Sequence, residues 1–214
     1  MQLIGMLDSP YVRRVAISLQ LLGLEFEHRS VSVFRNFSEF AAINPVVKAP
    51  SLVCDDGTVL MDSTLILDYA ESVAAPGRSL MPTDSAARQH ALRLLGLALA
   101  ACEKSVQIIY EHMLRPPEKY HAPWLDRVTG QLQAAYGALE MELARAPLST
   151  APGKLDQAGV TTAVAWHFSQ QMVAERLPVA QFPRLNEHSV RAEALLQFKA
   201  APHGPTTYRG GVTT

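Results

Sequence analysis

The chain has 214 residues, 48% hydrophobic and 18% charged, enough apolar material for one large domain or two small ones, which excludes a disordered chain. Nineteen Lys and Arg against 20 Asp and Glu leave a formal charge of −1, so the basic excess that non-specific nucleic-acid binding needs is missing. The longest nearly apolar run, Ala91 to Cys102, contains Arg93 and falls well short of the roughly 20 residues of a membrane span.

From Met1 to about Leu80 short extended and short helical segments alternate. Gln2–Met6 is an apolar strand candidate. Pro10–Leu22 reads as a helix, because Val12, Val15, Ala16, Leu19 and Leu22 recur at three- and four-residue steps. Ser9 is a good N-cap, Pro10 suits the first helical position and Gly23 stops the helix. Phe26–Val33 alternates like a strand, and a weak helix is expected around Ser38–Ile43. Ser51–Cys54 and Thr58–Met61 flank Asp55-Asp56-Gly57, a strong hairpin signal. A third helix starts near Ser63, with Leu65, Ile66, Tyr69 and Ala70 on one face. The order β-α-β-α-β-β-α implies one parallel crossover and one antiparallel edge pair.

The stretches Ala75–Ser79 and Met81–Thr83 break the composition, and no strand is evident beyond them. Asp84–Leu114, Trp124–Ala146, Gln157–Leu177 and Leu185–Phe198 carry helical periodicity between proline clusters. The expected architecture is a small α/β domain over residues 1–78 and an all-helical domain over 84–201. A loosely held Gly/Thr/Pro-rich tail over 202–214 would follow. Through Leu80 the chain has 6 basic and 9 acidic residues, net −3; beyond it 13 and 11, net +2. Neither half suggests a polyanion partner. No basic stretch precedes an apolar core at the N-terminus, and Asp8 interrupts it early, so no signal peptide is expected. Cys54 and Cys102 have neither redox nor zinc spacing, and the seven histidines are scattered, so no metal site is expected. A reduced cytoplasmic enzyme or binding protein is the starting expectation.

Three stretches carry a resemblance: Ser9-Pro10-Tyr11-Val12-Arg13-Arg14-Val15, then Asn44-Pro45-Val46-Val47-Lys48-Ala49-Pro50-Ser51-Leu52, then Asp62-Ser63. In that order and spacing the chain resembles the cytosolic glutathione transferases, and more narrowly their serine-type bacterial members. Tyr110-Glu111, Arg115-Pro116-Pro117 and Phe182-Pro183-Arg184-Leu185 extend the likeness through the second half. The resemblance implies an α/β thioredoxin-like N-terminal domain that binds glutathione, plus an all-α C-terminal helical domain. Ser9 would donate a hydrogen bond to the glutathione sulfur. Lys48 would meet the glycyl carboxylate, and Ala49, before a cis Pro50, would pair backbone to backbone with the cysteinyl unit. Asp62 and Ser63 would hold the γ-glutamyl end. Where the family often has Gly and Glu, this chain has Val47 and Asp62. The stretch Asp156-Gln157-Ala158-Gly159 keeps the cap of a C-terminal capping box and lacks its reciprocal acid.

Read locally, the same residues have ordinary uses. Ser9 is an N-cap, Lys48 a solvated lysine, Asp62-Ser63 a cap for the third helix, and Pro50 a trans proline. Cap and ligand roles coexist for Ser9, since a hydroxyl can accept from a helix N–H and still donate outward. At a helix start it also meets the positive end of the dipole. A thiol of pKa about 8.5 is roughly 3% ionised at pH 7, and lowering it about 2 units takes about 2.7 kcal/mol. A charged hydrogen bond and a helix dipole together can supply that. The thiolate so formed is less nucleophilic, which leaves a net gain of only a few-fold. Positioning of the second substrate must therefore supply most of the rate.

For that substrate, expected to be a small hydrophobic electrophile, Tyr11, Tyr110 and Met113 are the candidate pocket residues. His112, Tyr120, His121 and Trp166 stand nearby in the reading, Trp166 more as core. Leu92, Leu95, Gly96, Leu99, Ala100 and Glu103 give the first long helix a face that, by resemblance, belongs to a homodimer. The implied activity is conjugation of the glutathione thiolate to the electrophile, a detoxification chemistry with glutathione as co-substrate and no metal. Alternatives on the same scaffold are a non-catalytic glutathione-binding or regulatory dimer and a glutathione-dependent isomerase or peroxidase. Thioredoxin-type disulfide reduction is disfavoured because Ser9, not cysteine, stands at the start of the first helix.

Overall fold

A computed structural model of the chain describes residues 1–210 and divides it into two units, 1–80 with the segment from Ala194 onward, and 81–193. In the first, β1 (Gln2–Ile4) is followed by α1 (Pro10–Leu22), β2 (Glu27–Arg29), α2 (Phe37–Ile43), β3 (Ser51–Val53), β4 (Val59–Met61) and α3 (Ser63–Val73). The sheet order is β2-β1-β3-β4. β1 and β2 are parallel, with Leu3 opposite His28; β1–β3 and β3–β4 are antiparallel. The expected order and the parallel crossover are both present.

Local chemistry explains the element ends. Gly23 takes φ 73°, its N–H donates to the Gln20 carbonyl, and the Leu24 N–H reaches back to Leu19, closing α1 in a Schellman turn. The apolar stripe of α1 packs Val12, Val15, Ala16 and Leu19 fully inside, with Leu3, Ile4, Leu52, Ile66 and Ala70 also buried in this unit. β2 is shorter than the alternation over Phe26–Val33 suggested. Ser32 Oγ accepts the N–H groups of Phe34 and Arg35, which turns the chain before the strand can continue.

The second unit contains α4 (Ser85–Leu114), α5 (Ala122–Arg145), α6 (Gln157–Met172) and α7 (Pro183–Glu193). α6 is buried almost all round from Gln157 to Phe168, packs against α4 and α7, and forms the centre of this core. A buried polar cluster crosses it. Tyr136 OH donates to the Ala165 carbonyl at 2.8 Å, and Ser169 Oγ lies 2.7 Å from both Tyr136 OH and Ser105 Oγ. Among the described residues no helix is long and apolar enough to cross a membrane.

Two boundaries differ from the sequence reading. The helix expected over Gln157–Leu177 stops at Met172, and a single 3₁₀ turn covers Ala174–Arg176. The periodic stretch Leu185–Phe198 breaks at 194–195, and the following α8 (Leu196–Ala200) belongs to the first unit. The cause is long-range. Phe198 and Ala201 are fully buried, Arg13 Nε donates to the Ala201 carbonyl at 2.8 Å, and its guanidinium lies 5.6 Å over the Phe198 ring. The division thus falls at Glu193 rather than at 201. Residues 202–210, expected to be loosely held, are tied to the first unit. The rest of the expected tail, 211–214, lies outside the described residues.

Candidate active site

Ser9 sits at the end of the turn from β1 into α1. Its N–H donates to the Met6 carbonyl at 3.2 Å, and its carbonyl takes the first helical hydrogen bond from Arg13. Its φ of −75° and ψ of 124° are those of an N-cap. The side-chain bond is long: Val12 N–H to Ser9 Oγ is 3.5 Å, at the edge of what counts as a hydrogen bond. The hydroxyl is half-buried at the positive end of a 13-residue helix. Next to it, partial burial pushes the Asp8 carboxyl up, against the pull of His203, the Ser9 amide and Arg35.

The second stretch is a loop held from below. The Ala49–Pro50 peptide is cis, as the resemblance implies. Buried Asn44 accepts the Val46 N–H at 3.0 Å and donates to Ser51 Oγ at 2.8 Å, and Ser51 Oγ donates to the Lys48 carbonyl at 2.8 Å. Val47 takes φ 52°, a left-handed conformation that costs a β-branched residue about a kcal/mol or more. Its side chain packs beside the cluster of Ile4, Val31 and Phe40, which offsets part of that cost. Gly5 ends β1 at φ 135°; a Cβ there would meet Val12 Cγ2 at 2.7 Å and Ala49 Cβ at 3.2 Å. Only glycine lets the Ser9 turn and the Ala49 loop close on the same point.

The third stretch opens α3. Asp62 caps it, accepting from the Thr64 N–H at 2.9 Å, at a φ of 71° that is unusual for a non-glycine. Lys48 Nζ lies 3.4 Å from Asp62 Oδ2, both about half exposed. Partial burial pulls the Asp62 carboxyl upward, but the Thr64 amide, the Lys48 ammonium and the Arg14 guanidinium outweigh it and hold it below the ordinary 3.8. Ser63 is buried, and Arg14 Nη1 donates to Ser63 Oγ at 3.0 Å and to Thr64 Oγ1 at 3.3 Å.

One unit therefore carries Ser9, Lys48, Ala49, Pro50, Asp62 and Ser63, along with half-buried Tyr11. Tyr110 and Met113 lie near the end of α4 in the other unit, 42% and 67% exposed. Beside them buried Glu111 pairs with Arg115 at 3.0 Å and accepts the His121 N–H at 3.2 Å, while Tyr120 OH donates to the His112 carbonyl at 3.0 Å. Trp166 is core: 1% exposed and edge-on to Tyr136 at 5.1 Å. Cys54 and Cys102 are buried and form no disulfide; burial raises the Cys54 thiol above its ordinary value. Among the described residues no three His, Cys, Asp or Glu gather as a metal site would require.

Four positioning residues carry no role in the sequence reading: Arg14, Asn44, Ser51 and Glu111. Only Asn44 had a local signal, an Asx turn over Asn44-Pro45-Val46. Arg14 acts through Ser63, 49 residues along the chain, whereas Ser51 bonds nearby Lys48 and Asn44, and Glu111 bonds Arg115 and His121. The pairing of Lys48 with Asp62 was also not anticipated.

A four-stranded mixed sheet with a cis-proline loop facing a capped helix start, followed in sequence by an all-helical unit, defines a thioredoxin-like domain with a helical companion. The glutathione S-transferase N-terminal domain family matches residues 3–78. A solved glutathione transferase family member from Pseudomonas fluorescens Pf-5, with bound S-(propanoic acid)-glutathione, is 30% identical over 94% of this chain and 98% of its own, at a TM-score of 0.78. A glutathione S-transferase from Methylobacterium radiotolerans, in complex with glutathione sulfonate, is 25% identical over 96% of each chain, at 0.86. Glutathione transferase GST 23 of Zea mays is 29% identical over 109 residues, 51% of this chain; the match spans about half (49%) of the maize protein. The chain belongs to the glutathione transferase superfamily.

Proposed function

We propose that this protein is a serine-type glutathione transferase that joins the glutathione thiolate to a small hydrophobic electrophile. The single observation carrying this reading is the loose cap at Ser9. A hydroxyl at the positive end of α1 accepts the Val12 amide at 3.5 Å through a lone pair, so its own proton is available to donate to an anionic sulfur. The other residues suit the remainder of the tripeptide. Lys48 offers a cation to the glycyl carboxylate, and the Ala49 backbone offers a strand edge to the cysteinyl unit. Asp62, kept ionised, takes the γ-glutamyl ammonium, and Ser63 with the start of α3 takes its carboxylate. Binding would exchange the Lys48–Asp62 pair for these contacts. The thiol proton leaves to solvent, the sulfur electron pair forms the new C–S bond, and the electrophile's leaving group or opened ring carries away the displaced electrons. Tyr11, Tyr110 and Met113 are the proposed walls for the electrophile.

The protein works as a cytoplasmic homodimer in this reading, in detoxification. α4 shows a shallow cavity of about 620 Å³ lined by Gln89, His90, Leu92, Arg93 and Gly96, with Leu92 and Gly96 exposed. That face is the proposed meeting surface of the two copies, although Leu95 is turned into its own unit and buried.

Calorimetry with glutathione, followed by initial rates on an aromatic halide, an isothiocyanate, an epoxide and a peroxide, tests the reading. Binding with turnover on at least one of the first three, and a roughly two- to four-fold lower kcat/KM at pH 7 in Ser9→Ala with little change in affinity, is expected. Binding without turnover points to the regulatory dimer. Product returned with glutathione unconsumed points to an isomerase.

A further inference from the structure

The C-terminal segment does more than end the chain. Its course is fixed at two places on the first unit. At the near end Arg13 holds the Ala201 carbonyl and Gln20 Nε2 donates to the Gln197 carbonyl. At the far end the Tyr208 ring stacks on Phe26 at 4.6 Å, and the Arg209 N–H donates to the Ala200 carbonyl. Between the far end and the sheet stands His28. The Tyr208 N–H donates to His28 Nδ1 at 2.9 Å, and His28 Nε2 lies 2.7 Å from the Gly5 carbonyl. An amide can only donate and a carbonyl can only accept. The ring must therefore be neutral, with its proton on Nε2. Gly5 in turn is the point where Val12 and Ala49 close in, and Val12 supplies the amide that caps at Ser9.

Resting on the functional reading above, we propose that His28 is a positioning residue of the glutathione site. It fastens the C-terminal arm, through the Tyr208 amide, to the carbonyl of Gly5, the residue whose Cα is approached by the Val12 side chain of α1 and by Ala49. The ring accepts one bond and donates the other only while neutral. A second proton would set Nδ1–H against the Tyr208 N–H and release the arm. Burial already lowers the His28 pKa, opposed by the Gly5 carbonyl. The charged residues along β2 are engaged elsewhere, Glu27 with Gln2 and Arg29 with Glu39. On the arm, burial raises the Tyr208 phenol and so keeps it neutral, and Arg209 is the next charge along it. Because the docked state favours the neutral ring, the clamp is complete above the ordinary histidine value of 6.5 and is lost as pH falls below it.

Full-length His28→Leu, His28→Gln and Tyr208→Pro test this against wild type. His28→Leu removes both bonds, and Tyr208→Pro removes the amide donor together with the ring stacked on Phe26, a loss that Tyr208→Ala, which keeps the amide, measures by itself. His28→Gln offers an acceptor and a donor that do not titrate. At pH 7 the KM for glutathione rises about three- to ten-fold in His28→Leu and Tyr208→Pro, the range for one or two lost hydrogen bonds, while kcat stays within about two-fold. Wild type shows the same rise between about pH 7 and 5, and His28→Gln stays flat over that interval. In parallel, ¹⁵N NMR of wild type should show a coupling across the Tyr208 N–H···Nδ1 bond and the Nε2-protonated ring, both without glutathione. A folded His28→Leu and Tyr208→Pro with wild-type KM, or no such coupling, overturns the proposal. If His28→Leu does not fold, Tyr208→Pro decides alone. Failure of wild type to bind glutathione, with the coupling present, would instead overturn the functional reading and with it the role of the clamp.

Discussion

Ser9 and Asp156 occupy the same position at the starts of α1 and α6, yet the two caps differ in grip. Asp156 Oδ1 accepts from the Gly159 N–H at 2.8 Å, and the Gly159 carbonyl lies 2.9 Å from His188 Nε2. Asp62 and Asp84 cap α3 and α4 as tightly, each at 2.9 Å. Ser9 alone among these four stands off at 3.5 Å. The three short caps are carboxylates, which accept only, whereas the weakly engaged Ser9 hydroxyl accepts through a lone pair and keeps a proton to donate elsewhere. The α6 start also explains the missing acid of the capping box. A Cβ at Gly159 would lie 2.7 Å from Leu155 Cδ1 and 3.6 Å from the His188 ring, so packing occupies the place of the reciprocal side chain.

The contrast can be broken at several points. The largest effect belongs to Gly159→Glu, which completes the pattern on paper. It should lower the unfolding free energy by about 2–3 kcal/mol in urea titrations, because it overpacks a buried helix start. A neutral or stabilising result would show that the box, not the packing, governs α6.

Acid comes next. Burial lowers the His188 pKa below 6.5, helped by Arg191 and opposed by the Gly159 carbonyl and Asp156. The unfolded chain therefore takes up the proton first as pH falls. Stability from this group is complete above 6.5 and is lost below it, by at most about 1.4 kcal/mol per pH unit. Melting curves between pH 7.5 and 5, as approximate limits, should show this slope for wild type and a shallower one for His188→Gln.

Asp156→Ala should cost about 1 kcal/mol of stability and leave glutathione affinity unchanged. Smallest of all, Ser9→Ala should change stability by less than about 0.5 kcal/mol, since a 3.5 Å bond contributes little. A loss at Ser9 as large as that at Asp156 would remove the distinction between the two caps.

What the sequence disclosed follows the same division between local and distant causes. Ser9-Pro10 at the start of α1, Gly23 at its end and Asp56-Gly57 in the hairpin act within four residues of themselves, and each is where its chemistry places it. The site positions stood out only because three separated stretches resembled one family. Arg13 and Arg14 read as polar helix residues, yet both are buried, one reaching 188 residues along the chain to Ala201 and the other 49 to Ser63. Nothing in the periodicity of Leu185–Phe198 could show that Phe198 belongs to another core. His28 falls in an alternating stretch, and its two partners lie 23 and 180 residues away.

The central claim is that the Ser9 hydroxyl and the start of α1 together keep the glutathione thiol ionised. Titrating the far-ultraviolet thiolate absorbance of bound glutathione tests it most directly. In wild type the bound thiol should titrate about 2 units below the free value of about 8.5, and in Ser9→Ala it should rise by about 1 unit or more toward it, the helix start keeping the remainder. A wild-type bound thiol that titrates like free glutathione, or a value unchanged in Ser9→Ala, would contradict the claim.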